Sequence, residues 1–157
     1  MNYFSFIWTE PVSPETVSRW PRSKISVQLG VAERPIGITF WNPAGLGLQI
    51  WSEIEDIAER TEVGVLAFSL VSESEPDEIF TDFEISLDES KDLKKMVIEE
   101  SGSKCESGLC IETMDGREII IVAGVYPYSL AIKGVISIPY IFEPEYDLDR
   151  YDRFPFP

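Results

Sequence analysis

Between Ser23 and Ile50 the chain alternates apolar and polar residues three times over: Ile25, Val27 and Leu29, then Ile36, Ile38 and Phe40, then Leu46, Leu48 and Ile50. A period of two gives a strand one apolar face and one polar face. The gaps between the runs are short, and Asn42-Pro43-Ala44-Gly45 has the chemistry of a turn. Together they predict an antiparallel meander, around which the rest of the chain must be arranged.

Upstream, Asn2 to Trp8 reads as a short aromatic strand. Ser13-Pro14-Glu15 reads as a helix start, with Ser as N-cap and Pro at the first helical position. Val17 and Trp20 share a face of that helix, and Pro21 ends it. Trp51 to Glu62 fits either a helix, on the spacing of Ile54, Ile57 and Ala58, or an extension of the preceding strand. Val63 to Val71 is a continuous apolar run of strand length, which predicts a strand buried on both faces.

Ser72 to Asp82 is polar, acidic and interrupted by Pro76, as expected of an exposed loop. Phe83, Ile85 and Leu87 predict a strand. Asp88 or Ser90 then caps an expected helix running to about Glu100, with Leu93, Met96 and Val97 as its apolar stripe and Gly102 as its stop. Lys91, Lys94 and Lys95 fall on its solvated face. Asp115-Gly116 is a hairpin turn between runs Leu109–Met114 and Arg117–Gly124. Tyr128 to Lys133 and Ile136 to Phe142 predict two further strands, and residues 143–157 an irregular C-terminal arm. The expected fold is α+β: a single domain, 1–157, with a large, mostly antiparallel sheet and two or three helices.

The 157 residues suffice for a packed core without metal or disulfide. No apolar run approaches the length of a membrane span, and the apolar N-terminus lacks the basic start and cleavage site of a secretion signal, so a cytoplasmic location is expected. Cys105 and Cys110 are expected to be free thiols, the first in a loop and the second in the core.

Histidine is absent. That removes Ser-His-Asp and Cys-His nucleophile arrangements, histidine-based zinc and iron sites, and the commonest general base near neutral pH. No phosphate-binding glycine loop occurs: Gly45-Leu46-Gly47 lacks the third glycine of a dinucleotide fingerprint. No catalytic residue, cofactor or metal site is expected, and an enzyme is not expected. A hydrolase working through two carboxylates is the least favoured of three readings, since such chemistry needs one acid of raised pKa in a cleft.

Acidic residues number 28 against 13 basic, for a net charge of −15. They are segregated. Residues 53–90 hold thirteen acids and one base, Arg60, whereas residues 1–52 hold three acids and four bases. Such a field repels nucleic acid and anionic membrane and steers basic proteins inward. Glu53, Glu55, Asp56, Glu59, Glu73, Glu75, Asp77, Glu78, Asp82 and Glu84 are therefore the expected partner-binding residues, with Trp51, Phe80 and Phe83 as candidate anchors. The alternative partner-binding reading is an adaptor that uses the tail, where Tyr146, Tyr151, Phe154 and Phe156 lie among acids.

The run D-G-R-E-I-I-I-V-A-G-V-Y-P-Y-S-L-A-I, Asp115 to Ile132, with F-E-P-E-Y-D-L-D-R-Y, Phe142 to Tyr151, resembles small immunity proteins of bacterial toxin–immunity systems of the contact-dependent growth inhibition type. The resemblance covers part of the C-terminal third. It implies a cytosolic protein that binds and neutralises one cognate toxin, often a nuclease, and it assigns no contact residue. A nuclease needs a basic cleft for phosphates, which an acidic protein can fill.

Overall fold

The computed structural model describes residues 1–135 and 140–157. It corrects the α+β expectation. Among the described residues there are twelve strands, one α-helix of five residues and two single-turn 3-10 helices. The strands form two sheets with apolar side chains clustered between them, so the architecture is a β-sandwich. No helix of the described residues is long and apolar enough to cross a membrane.

The meander is present. Strands β3 (Ser23–Leu29), β4 (Pro35–Trp41), β5 (Gly47–Ala58) and β6 (Thr61–Val71) pair in succession, all antiparallel. The expected turn at Asn42 is closed by its own side chain, which accepts from the Ala44 and Leu46 amides at 3.0 Å. Strand β7 (Glu78–Ile85) adds to the far side of β3 and forms one edge. Strand β2 (Ile7–Trp8) pairs in parallel with β6 at the other. Cross-strand pairs Val27–Ile38, Ile38–Ile50 and Ile50–Phe68 make a fully buried row on the inner face.

The second sheet is another meander: β8 (Asp92–Glu100), β9 (Ser103–Glu112), β10 (Glu118–Ala123) and β11 (Leu130–Lys133). The Asp115-Gly116 turn joins β9 to β10 as expected, with Gly116 at φ 86°. Strand β1 (Asn2–Phe4) lies parallel to β9, and β12 (Asp152–Pro155) antiparallel to β8. The expected strand over Ile136–Phe142 falls largely outside the described residues.

The helix expected over Asp88–Glu100 is strand β8, so Gly102 is no helix stop. With Ser101 at φ 51° and Gly102 at φ 77°, it closes a two-residue hairpin in which Glu100 faces Ser103. Lys, Glu, Leu and Met favour helix locally, but both faces of β8 are buried. Leu93 packs toward the inter-sheet core, while Met96 and Ile98 face a second apolar cluster. A strand buried on both sides loses its alternation, and Leu93, Met96 and Val97 then mimic a helical stripe. The three lysines accordingly sit beside strand carboxylates, Lys91 with Glu112, Lys94 with Asp92 and Lys95 with Glu106.

That second cluster covers the other side of the β8–β11 sheet. It joins Cys105, Cys110, Ile120 and Val122 to Ile57, Val63 and Val65 of the β5–β6 hairpin and to Tyr151 of the tail. The tail is no irregular arm. It bridges Gly124 at Pro144, turns through Leu148–Arg150 and pairs as β12. The short helix α1 (Pro14–Ser18) has the expected cap, with Ser13 and Thr16 forming a reciprocal capping box. Trp20, just past it, donates its indole N–H to the Phe40 carbonyl at 3.0 Å.

Candidate functional site

The ten acids expected to bind a partner fall into two groups. Glu53, Glu55 and Asp56 lie on β5 and Glu59 in the turn after it, so Trp51–Glu62 is no helix: the preceding strand extends to Ala58, and β6 begins at Thr61. Glu53 accepts the Trp51 indole N–H at 2.7 Å, and half-buried Glu55 sits close enough to Cys105 to act on its thiol. This group is partly built into the end of the β5–β6 hairpin, with Asp56 and Glu59 exposed at its tip.

The other six acids form a strip. Glu73, Glu75 and Asp77 are exposed in the β6–β7 connection, and Glu78, Asp82 and Glu84 follow on β7. Strand β7 begins at Glu78, so the expected loop ends five residues early. Glu84 lies opposite Lys24 and Phe80 opposite Ser26, so β7 carries two extra residues across this interval. Such a bulge bends an edge strand and hinders edge-to-edge pairing with a second copy.

Ile79 is 44% exposed although it lies opposite buried Val27, and Phe80 is 53% exposed. The bulge separates them from Phe83, which is buried under the Arg117 guanidinium at 4.3 Å. Of the three candidate anchors, Phe80 is exposed, Trp51 half-buried and Phe83 buried. Glu78 is held from several sides: Ser26 and the Trp41 indole donate to one carboxylate oxygen, and the Glu75 amide donates to the other at 2.9 Å. Glu84 pairs with Arg22 at 3.1 Å. A groove of about 790 Å³ runs along β7, lined by Arg22, Lys24, Phe80 and Glu84 among others.

The buried titratable groups serve the fold. Glu145, half-buried, accepts the Gly64 N–H at 3.0 Å; burial pushes its carboxyl up, partly opposed by that hydrogen bond. Glu106, 6% exposed, accepts from the Tyr3 hydroxyl and the Phe6 amide and faces the Lys95 ammonium. Among the described residues no group of three or more His, Cys, Asp or Glu converges to hold a metal.

Cys105 lies in β9 and is fully buried, not in a loop. The two cysteines are an odd number of residues apart, which on a regular strand would put them on opposite faces. The bulge of β9, where Met96 faces Gly108 but Val97 faces Glu106, brings both into one cluster. Burial pushes both thiols up to about 11. Neither is expected to react with Ellman's reagent at pH 8 while the protein is folded, and both should react in guanidinium. Rapid labelling of the native protein would contradict this.

Sequence reasoning located the acidic strip but missed Ile79 as a surface residue, along with Gln28, Gln49 and Tyr128, which border the face beside the strip. No protein-family model matches this chain, nor does any curated protein or solved structure.

Proposed function

We propose that the protein is a cytoplasmic immunity-type inhibitor. In this reading it performs no chemistry of its own and captures a basic toxin domain, of the nuclease class, against the strip formed by Glu73 to Glu84. The observation that carries the proposal is the composition of that strip. Six carboxylates occur in twelve residues along an exposed connection and edge strand, and exposed Ile79 and Phe80 interrupt them. Apolar anchors within a charged surround are the usual anatomy of a protein interface. The carboxylates speed encounter with a basic surface and favour it over acidic ones, while the apolar pair slows release.

The tail reading finds less support. Tyr151 is 5% exposed, and Phe156 packs on Phe6 at 6.1 Å, so these rings are engaged within the fold.

The test is survival. The C-terminal domain encoded by the upstream gene is expressed in a test bacterium with and without this chain. Killing that the chain alone suppresses supports the proposal; killing without rescue overturns it. Glu73→Lys, Glu75→Lys and Asp77→Lys together are expected to slow association at least about tenfold at low salt. Stability should barely move, because all three side chains are exposed. An unchanged on-rate would place the interface elsewhere.

A further inference from the structure

The outer face of the β3–β7 sheet has a row of its own. Trp51 lies opposite Gly37, Gly37 opposite Gln28, and Gln28 opposite Glu78. Four strands thus set an indole, a bare glycine, an amide and a carboxylate in line, spanning roughly 14 Å at the usual strand spacing. The glycine keeps the floor low: a Cβ there would stand 3.1 Å from the Gln28 side-chain oxygen.

Beside the row, Gln49 Nε2 donates to Gln28 Oε1 at 3.2 Å. That bond leaves an amide donor on Gln28 and a carbonyl acceptor on Gln49, the complement of one peptide group. Two cavities of about 330 and 620 Å³ adjoin here and share Gln28 and Ile36. Trp51 and Tyr128 wall the first, and Asp77 and Glu78 line the second.

Tyr128 is an independent pointer. It holds a left-handed backbone at φ 64°, a conformation that costs a bulky residue energy and a glycine almost none. The turn is enforced by the Ser129 N–H on the Tyr126 carbonyl at 3.0 Å and by the Gly124 N–H on the Ser129 carbonyl at 2.8 Å. The ring placed at this strained position is 55% exposed and stands beside the groove. Strain kept where glycine would relieve it marks a residue retained for its side chain.

We infer that this groove seats an extended cationic peptide segment of the partner. Its backbone meets the Gln28–Gln49 pair, an aromatic or aliphatic side chain enters between Trp51 and Tyr128, and a Lys or Arg lies beside Asp77 and Glu78. The inference rests on the proposed capture of a basic protein and gives that partner an address. Charge complementarity selects the occupant. A neutral oligosaccharide would suit the rings and the amides but not the carboxylates, and nucleic acid is repelled by them.

The probe is a labelled heptapeptide, Lys-Val-Lys-Trp-Lys-Val-Lys, titrated into the full chain at low salt, beside the same peptide with Glu for every Lys. The lysine peptide is expected to bind with a Kd of roughly tens to hundreds of micromolar and to shift the Trp51 indole N–H signal in NMR. The buried Trp20 indole should stay in place, and the glutamate peptide should not bind. Tyr128→Gly is expected to weaken binding at least about tenfold with an unchanged or higher Tm. The inference is overturned if Tyr128→Gly binds as well as wild type, if the Trp51 signal stays fixed, or if cellopentaose moves it and the peptide does not. If Tyr128→Gly loses the peptide yet still rescues cells, the groove is not the partner's seat while the inhibitor proposal stands. If Glu73→Lys and Glu75→Lys together, which leave Asp77 of the groove in place, leave rescue intact while the peptide still binds the groove, the proposed interface fails and the groove survives.

Discussion

A chain ended after Phe142 is expected to show no cooperative unfolding transition. The deleted residues complete the second apolar cluster, where Tyr151 is 5% exposed and Tyr146 and Leu148 pack against it. They supply β12, which pairs along β8 from Val97 to Lys94, and the Phe156 amide donates to the Leu93 carbonyl at 3.0 Å. The Val125 amide loses its acceptor at Glu143, and the Gly64 amide loses Glu145. A fully buried large side chain contributes about 1.5–3 kcal/mol, and several vanish together from a total stability of about 5–15 kcal/mol. Met96, Ile98 and both cysteines lose part of their cover as well. Thermal denaturation followed by tryptophan fluorescence checks this, and a sharp transition in the shortened chain would show the tail to be an appendage. Single replacements refine the result. Tyr151→Ala is expected to cost about 3–5 kcal/mol. Tyr151→Phe should be close to neutral, because the hydroxyl finds no hydrogen-bond partner among the described residues.

Glu106→Ala is expected to remove about 3 kcal/mol, a fall in Tm on the order of 10 °C for a chain of this size. The Glu106 carboxylate accepts from the Tyr3 hydroxyl at 2.6 Å and the Phe6 amide at 2.8 Å, and it faces the Lys95 ammonium at 2.8 Å. It therefore ties the N-terminal segment to the bulge of the β8–β9 hairpin. Removing it leaves a buried amide without an acceptor. The clamp also has a pH signature. The hydrogen bond to Glu106 raises the Lys95 pKa above its ordinary 10.5, and burial, followed by the same carboxylate, raises that of Tyr3 above 10.0. Both folded-state values lie above the unfolded ones, so the stability they contribute is complete below about pH 10 and is lost as pH rises through the folded values. Glu106→Gln can keep an acceptor for the Phe6 amide but lacks the charge. It should lose stability less steeply than wild type above pH 10, and parallel slopes would remove Glu106 from the account.

Several features of the fold were legible because their signals are local. The Ile25–Ile50 alternation needs only a period of two, the Ser13 cap only a serine followed by Pro14, and the β9–β10 turn only Asp115-Gly116. Of the apolar run Val63–Val71, expected to be buried on both faces, Val63 to Phe68 is buried and Ser69 to Val71 half-buried. Strand β8 was not legible. Its residues favour helix, and what makes it a strand is a pairing partner on either edge and a core on either face. The bulges of β7 and β9 were equally hidden. The bulge of β9 carries one extra residue and inverts the facing beyond it, which is why Cys105 joins Cys110 in one cluster; that of β7 carries two and keeps the facing, and Ile79 is exposed although it lies opposite buried Val27.

The sequence by itself determined that the chain carries a strong negative field concentrated between Glu53 and Glu89, that histidine chemistry is absent, and that the first half forms a meander. These follow from residue types and short-range periodicity, which need no partner strand. Only the tertiary structure decided that the ten acids separate into a hairpin-end group and an edge strip. It alone also set Trp51, Gly37, Gln28 and Glu78 in one row and brought Tyr128 beside them. Those residues come from separate strands and a distant loop, and their juxtaposition is fixed by cross-strand register, a long-range property that no local window of sequence contains.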